Sequence, residues 1–246
     1  MNHTGKYELS IIVPVYNEED NIVRLANALT EYIGHASVSA CVLFVNDGSH
    51  DHSLAKIKDI CRQNPHLFYI GFDRNHGLSA AIKAGIDRIE SRFTGYIDAD
   101  LQTTPEDFEK LLPYRNDFEI VTGIRTGRMD SFGKKISSKI ANGFRRLMTG
   151  DGIEDTGCPL KIFNTETARC IPFFNGMHRF LPALVLMQEG KVKQIPVRHF
   201  ERIAGKSKFH LTNRIVGPFV DCFAYRWMKK RTIHYRVETS NTEMIE

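Results

Sequence analysis

Apolar, β-branched runs alternate with helix-period segments four times in the first half of this chain, and that alternation most narrows the folds open to it. Leu9 to Val15 reads as a strand, after which Asn17 is expected to cap a helix opened by Glu18, Glu19 and Asp20, with Ile22, Leu25, Ala26, Leu29 and Ile33 on one face. Ala40 to Val45 is the next strand, followed by a helix near Leu54, Ile57 and Ile60. Leu67 to Phe72 leads to Leu78, Ile82, Gly85, Ile86 and Ile89. Phe93 to Ile97 is the fourth strand, Thr104-Pro105 with Asp107 marks a helix start, and Phe118 to Thr122 reads as a further strand. Short strands separated by helix-length segments predict an α/β fold, a mostly parallel sheet sandwiched by crossover helices.

Beyond Arg125 the pattern changes. Phe132, Ile136, Ile140, Phe144, Leu147 and Met148 recur at helical spacing, with Lys134, Lys135, Lys139, Arg145 and Arg146 at other positions, which predicts a basic amphipathic helix. A second is predicted where Ile215, Phe219, Phe223 and Trp227 follow one another at intervals of four before Met228-Lys229-Lys230-Arg231. The net charge of +4 conceals an asymmetry: residues 1–124 carry 11 basic and 18 acidic residues, whereas 125–150 carry 7 and 1, and 198–231 carry 9 and 2. Two basic segments on an otherwise acidic chain point to a surface that meets phosphates, and their amphipathic helices to peripheral contact with an anionic membrane. The five cysteines are scattered, form no CxxC pair and suit a reducing compartment. No stretch approaches the ~18 apolar residues of a membrane span, and the N-terminus lacks a secretion leader, so a cytoplasmic protein is expected. One domain is expected over residues 1–231, with a nucleotide half at about 9–124 and an acceptor half at 125–231, then a flexible tail at 232–246.

Three strand ends carry acidic motifs. In Tyr96-Ile97-Asp98-Ala99-Asp100-Leu101-Gln102, alternate residues at the end of a strand share a side, which places both carboxylates at the sheet edge where ligands bind. Two hard oxygen donors with the Gln102 carbonyl nearby suit Mg2+ or Mn2+, and burying two like charges without a cation is costly. Val13-Pro14-Val15-Tyr16-Asn17-Glu18 joins a strand to a helix at a place suited to a base or phosphate. Val45-Asn46-Asp47-Gly48-Ser49 ends another strand, with Asp47 a possible acceptor for a ring N–H.

Through VPVYNEEDNI, VNDGSHD, GLSAAIKAG and YIDADLQTTPE the chain resembles the inverting nucleotide-sugar transferases of glycosyltransferase family 2. Gly123-Ile124-Arg125, Asp155 to Lys161, His178-Arg179-Phe180 and Arg202 to Lys208 extend the resemblance to the dolichyl-phosphate mannose synthase and polyprenyl-phosphate sugar transferase branch, over roughly residues 9–231. The resemblance implies a GT-A fold, a GDP-mannose or UDP-hexose donor, and a polyprenyl-phosphate or glycan acceptor. It implies that Pro14, Tyr16, Glu18, Val45 and Asp47 hold the nucleotide. Asp98, Ala99, Asp100 and Gln102 would meet the diphosphate, with Asp98, Asp100 and Gln102 on the metal. Arg125, Arg202 and Lys208 would meet phosphates, and Asp155 would sit near the acceptor. Asn46 stands where many relatives carry a second acid.

Inversion needs one displacement, with cations neutralising the departing diphosphate. A hydroxyl acceptor requires a general base, for which Asp155 is the candidate, whereas a phosphate acceptor is already anionic. A dinucleotide oxidoreductase is set aside because no GxGxxG follows the first strand, and a zinc enzyme because no HExxH occurs. A non-catalytic nucleotide-sugar or polyanion binding module stays open and is separated from an enzyme by turnover. No nucleic-acid partner is expected.

Overall fold

A computed structural model describes residues 6–126, 143–201, 211–233 and 238. Its centre is a seven-stranded sheet in the order β3-β2-β1-β4-β6-β5-β7. The strands are β1 (Leu9–Val15), β2 (Ala40–Asn46), β3 (Leu67–Gly71), β4 (Phe93–Tyr96), β5 (Ile120–Thr126), β6 (Lys161–Asn164) and β7 (Val192–Arg198). All run parallel except β6, which lies antiparallel between β4 and β5. The sheet is the α/β arrangement expected from the alternation, and β5 carries it through residue 125 into the second half.

β1 and β2 are buried along their whole length because helices cover both faces, which is why they read as unbroken apolar runs. Alternate β1 side chains serve opposite layers. Leu9, Ile11, Val13 and Val15 pack with α1 (Ile22–His35) and with Phe108 of α4 (Phe108–Leu111). Ile12 faces α3 (Leu78–Arg88) in the other layer, together with α7 (Leu181–Met187). α3 lies so close that a Cβ on Gly85 would stand 2.7 Å from Ile12 Cδ1. Gly85→Val is therefore expected to destabilise the protein by about 3 kcal/mol through overpacking. Thermal melts check this, and Ile12→Ala in the same background should recover part of the loss.

The helix α2 (Ser53–Gln63) falls where expected, as does Pro105 opening a 3-10 turn before α4. The start of α1 is corrected. Asn17 sits at φ +51°, in the left-handed region, so it cannot open a helix. α1 begins at Ile22 behind Asn21, and no acid falls in its first turn. β5 starts two residues later than Phe118 and runs on through Thr126. Of the basic helix expected over 132–148, α5 is described over residues 143–149, and Phe132, Lys134, Lys135, Ile136, Lys139 and Ile140 lie outside the described residues. α6 (Thr165–Cys170) follows β6, and α8 (Leu211–Arg231) is the second basic helix. Of the expected tail, residues 232, 233 and 238 are described, and Thr232 Oγ1 donates to Met228 O at 3.0 Å.

Candidate active site

The parallel strands deliver the ends of β1, β2, β4, β5 and β7 to one edge of the sheet. Because β6 runs the other way, it delivers its first residue there: Lys161 is paired with Tyr96 on one side and Thr122 on the other. Residues from six strands therefore converge on one edge.

Pro14 and Val45 are direct neighbours across β1 and β2, and the loops that follow are tied together. Asn17 N–H donates to Ser49 Oγ at 2.9 Å, His50 N–H to Asn17 Oδ1 at 2.8 Å, and Glu18 N–H to Ser53 Oγ at 2.8 Å. Tyr16 meets His50 edge-on with ring centroids 6.4 Å apart, and Tyr16 and Glu18 are half-buried. Asp47 is buried, and its carboxylate accepts from Asn75 Nδ2 at 2.9 Å, His76 N–H at 2.7 Å and Gly77 N–H at 2.9 Å. Burial raises its pKa against those N–H donors. Its present task is thus to clasp the loop that opens α3. Gly48 at φ +62° keeps that clasp close, since a Cβ there would fall 2.1 Å from the Arg74 carbonyl carbon.

β4 ends at Tyr96, so Asp98 and Asp100 lie in the turn beyond it rather than alternating along a strand. Leu101 completes that turn at φ +57°. Tyr96 Oη donates to Asp98 Oδ1 at 2.6 Å, and Gln102 N–H donates to Asp100 Oδ1 at 3.1 Å. Gln102 O in turn accepts from Phe200 N–H at 2.9 Å, which ties this turn to the segment after β7. Burial, and then the Asp100 charge, push the Asp98 carboxyl up to about 6. A divalent ion would relieve that repulsion. Among the described residues no group of three or more His, Cys, Asp or Glu side chains gathers as a metal cage. Two carboxylates fit Mg2+ or Mn2+ of the kind completed by water and substrate phosphate oxygens. The raised Asp98 value carries a sign: protons compete with the ion as pH falls below about 6. Mn2+ affinity measured by calorimetry is expected to weaken by up to about tenfold per pH unit below that point, and a flat affinity from pH 5 to pH 8 would exclude Asp98 as a ligand.

Arg125, at the end of β5, and Asp155, in the loop before β6, form a bidentate pair, with Nε to Oδ2 at 2.7 Å and Nη2 to Oδ1 at 2.8 Å. Arg125 N–H also donates to Asp155 Oδ2 at 3.1 Å. Burial alone would raise the Asp155 carboxyl, but the hydrogen bonds and charge of Arg125 hold it below its ordinary range. As it stands Asp155 is the partner of a guanidinium, a poor position for the base that an acceptor hydroxyl requires. Lys161, singled out by sequence only as the end of a motif, is fully buried; its Nζ donates to Cys158 O and lies 6.0 Å from the Tyr96 ring centre. Burial lowers its pKa, against the pull of Cys158, Asp155 and Asp98. A lysine within the apolar run Leu160 to Phe163 was the available signal. Ala99 is buried between the two acids. His178 bonds to Ser79 Oγ through Nδ1 at 2.9 Å and is held neutral by burial, its pKa down at about 3. Arg202 and Lys208 lie outside the described residues.

Residues 10–176 match the family model described as Glycosyl transferase family 2. A dodecaprenyl-phosphate galacturonate synthase from Rhizobium johnstonii is 31% identical over 240 residues, covering 93% of this chain and 70% of that protein. Among solved structures, mannosyl-3-phosphoglycerate synthase from Rubrobacter xylanophilus has a TM-score of 0.70 at 15% identity, covering 95% of this chain and 78% of that one. A mannosyltransferase from Pyrobaculum calidifontis in complex with GDP-Man and Mn2+ has a TM-score of 0.67 at 16% identity, covering 94% and 66%. Glucosyl-3-phosphoglycerate synthase from Mycobacterium tuberculosis, in complex with Mn2+, UDP and glucosyl-3-phosphoglycerate, has a TM-score of 0.66 at 11% identity, covering 91% and 80%. At such identities these structures speak for the fold alone, while the match over residues 10–176 and the relative speak for the family. The chain belongs to glycosyl transferase family 2 and is a glycosyltransferase with the GT-A fold.

Proposed function

We propose that this glycosyltransferase moves a sugar, with inversion, from GDP-mannose or a UDP-hexose to a polyprenyl phosphate at the cytoplasmic face of an anionic membrane, using Mg2+ or Mn2+ at Asp98, Asp100 and Gln102. The observation that carries the reading is the pair of Asp98 and Asp100 in the turn after β4, with Arg125 and Lys161 within electrostatic reach of Asp98. The relative named as a dodecaprenyl-phosphate galacturonate synthase supports the acceptor class. Neighbours that hold Mn2+ with UDP or GDP-Man support the donor and metal classes. We assign the donor to residues 9–124 and the acceptor to 125–231.

When bound, the divalent ion neutralises charge on the departing diphosphate. Pro14, Tyr16, Glu18, Val45 and Asp47 flank the nucleotide from the joined β1 and β2 loops. Arg125, together with Arg202 and Lys208, supplies further positive charge to phosphates. The acceptor oxygen attacks the anomeric carbon from the face opposite the leaving group, so a single displacement inverts the centre with no covalent enzyme intermediate. Engagement of Asp155 by Arg125 favours an acceptor that is already anionic over a glycan hydroxyl, which must lose a proton. Contact with the bilayer is assigned to the outer face of α8, where Phe219, Val220, Phe223 and Trp227 are exposed ahead of Lys229, Lys230 and Arg231.

Purified protein incubated with each labelled donor, Mn2+ and a short-chain polyprenyl phosphate tests the reading. EDTA-sensitive transfer with release of nucleoside diphosphate is expected, and transfer to soluble sugars is expected to be weak. Binding of nucleotide-sugar without release in the presence of every acceptor would mark a binding module instead.

A further inference from the structure

We propose that Asp155 is a positioning residue, whose carboxylate sets the Arg125 guanidinium so that its outer edge meets a substrate phosphate; this rests on the transferase reading above. A guanidinium carries five N–H donors in a rigid plane, and two adjacent edges of that plane, which share Nη2, can each take an oxyanion. Asp155 occupies one edge through Nε and Nη2 and also accepts the Arg125 main-chain N–H. The carboxylate therefore grips the side chain and backbone of Arg125 together, at the end of β5. Both side chains are largely buried, at 16% and 12% exposure, so the pair is held by its surroundings rather than by solvent-exposed attraction.

The loop is shaped around the guanidinium. A Cβ on Gly157 would lie 2.8 Å from Arg125 Nη2, so a larger residue there forces the end of the guanidinium or the loop to shift. Lys161, at the start of β6, directs its Nζ to Cys158 O, and its charge is felt by both Asp155 and Asp98. With Asp155 removed, the charges of Arg125 and Lys161 would repel, and the two hydrogen bonds that fix the plane of the guanidinium would be lost. The paired arrangement leaves Nη1 and the second Nη2 hydrogen directed away from Asp155, a fork suited to two oxygens of one phosphate. That phosphate belongs to the donor diphosphate or to the acceptor monophosphate, and the two share the chemistry Arg125 recognises.

A binding cycle tests the inference without relying on turnover. Wild type, Arg125→Ala, Asp155→Asn, Asp155→Glu, Gly157→Ala and the Arg125→Ala/Asp155→Asn double variant are titrated calorimetrically with UDP and GDP in Mn2+, and separately with a short-chain polyprenyl monophosphate. For at least one ligand, Asp155→Asn and Gly157→Ala are expected to weaken binding about tenfold, Arg125→Ala by that much or more, and the double variant by no more than Arg125→Ala alone. Asp155→Glu is expected to restore part of the affinity. Weakening confined to the diphosphates assigns the fork to the donor, and weakening confined to the monophosphate assigns it to the acceptor. Unchanged dissociation constants for every ligand overturn the inference, as does a kcat loss in Asp155→Asn with no change in binding, which marks a base. Circular dichroism on each variant separates these results from misfolding. Wild type that binds both ligands yet transfers nothing would sink the transferase reading while leaving the cycle interpretable.

Discussion

Asp100→Ala is expected to lower kcat by about 10³-fold or more while the protein stays folded. Removing a single preorganised partner of charge that develops in a transition state costs about 10²–10³, and the loss of a metal's hold on the leaving group exceeds that. The structural cost is small by comparison. Asp100 is buried but lies beyond the end of β4, outside both hydrophobic clusters, and the hydrogen bond its Oδ1 accepts from Gln102 N–H is worth about 1 kcal/mol.

The same substitution moves the acid dependence of the metal-free protein. Asp98 is raised from 3.8 to about 6 in the folded state, so its contribution to stability is fully present below the ordinary value and is lost as pH rises through about 6. Removing the Asp100 charge takes away one of the two causes. Metal-free Asp100→Ala should therefore lose less stability than wild type between pH 4 and pH 7, as read by melting temperature. Full activity of the variant, or a wild-type enzyme indifferent to EDTA, would remove the metal assignment.

The sheet was legible where local pattern and tertiary environment agree. β1 and β2 are buried on both faces, so their sequences are continuous apolar runs, and the acids follow where the strands stop. The Asp98–Asp100 motif was legible for the same reason, although the pair lies in a turn with Leu101 at positive φ, a local conformation that no periodicity encodes. The opening of α1 was misread because three acids after an asparagine match a helix start. Here Asn17 and Glu18 instead meet Ser49, His50 and Ser53, partners more than thirty residues away, and a single sequence does not expose such pairings.

The second half of the chain was less legible because its arrangement depends on topology. β6 is four residues long and enters between β4 and β5 in the opposite direction, which brings Lys161 and the Asp155 loop to the same edge as Arg125. No local signal distinguishes that insertion from an added edge strand. Arg145 shows the limit of charge counting: it belongs to the predicted basic face, yet it is buried, pairs with Asp151 and donates to Ile153 O. It makes no contribution to a membrane surface.

Removing the basic end of α8 is expected to weaken binding to anionic vesicles by about 10²-fold or more at low salt. α5 and α8 pack against each other and would form the proposed platform: Phe144 stacks on Phe219 with centroids 4.8 Å apart, and Lys229 Nζ donates to Thr149 O at 3.2 Å. Part of the apolar pattern thus holds the two helices together, but a large remainder faces outward. Phe223 is 51% exposed, Trp227 63% and Leu147 80%. Around them stand the exposed cations Arg146, Arg226, Lys229, Lys230 and Arg231. Each cation close to an anionic surface contributes about 1 kcal/mol, so losing three costs about 3 kcal/mol, or somewhat over 10²-fold. Insertion of Phe223 and Trp227 adds an apolar component that salt does not screen, because only the charge interaction falls within a Debye length of about 8 Å at 0.15 M. Flotation with vesicles rich in phosphatidylglycerol separates the two contributions. Lys229→Glu/Lys230→Glu/Arg231→Glu should lose binding at low salt, Phe223→Ser/Trp227→Ser should lose the residue that survives high salt, and neither should alter transfer to a detergent-dispersed short-chain acceptor. Wild-type protein that stays with the soluble fraction at low salt, or that floats equally with neutral vesicles, would remove the membrane surface from this helix.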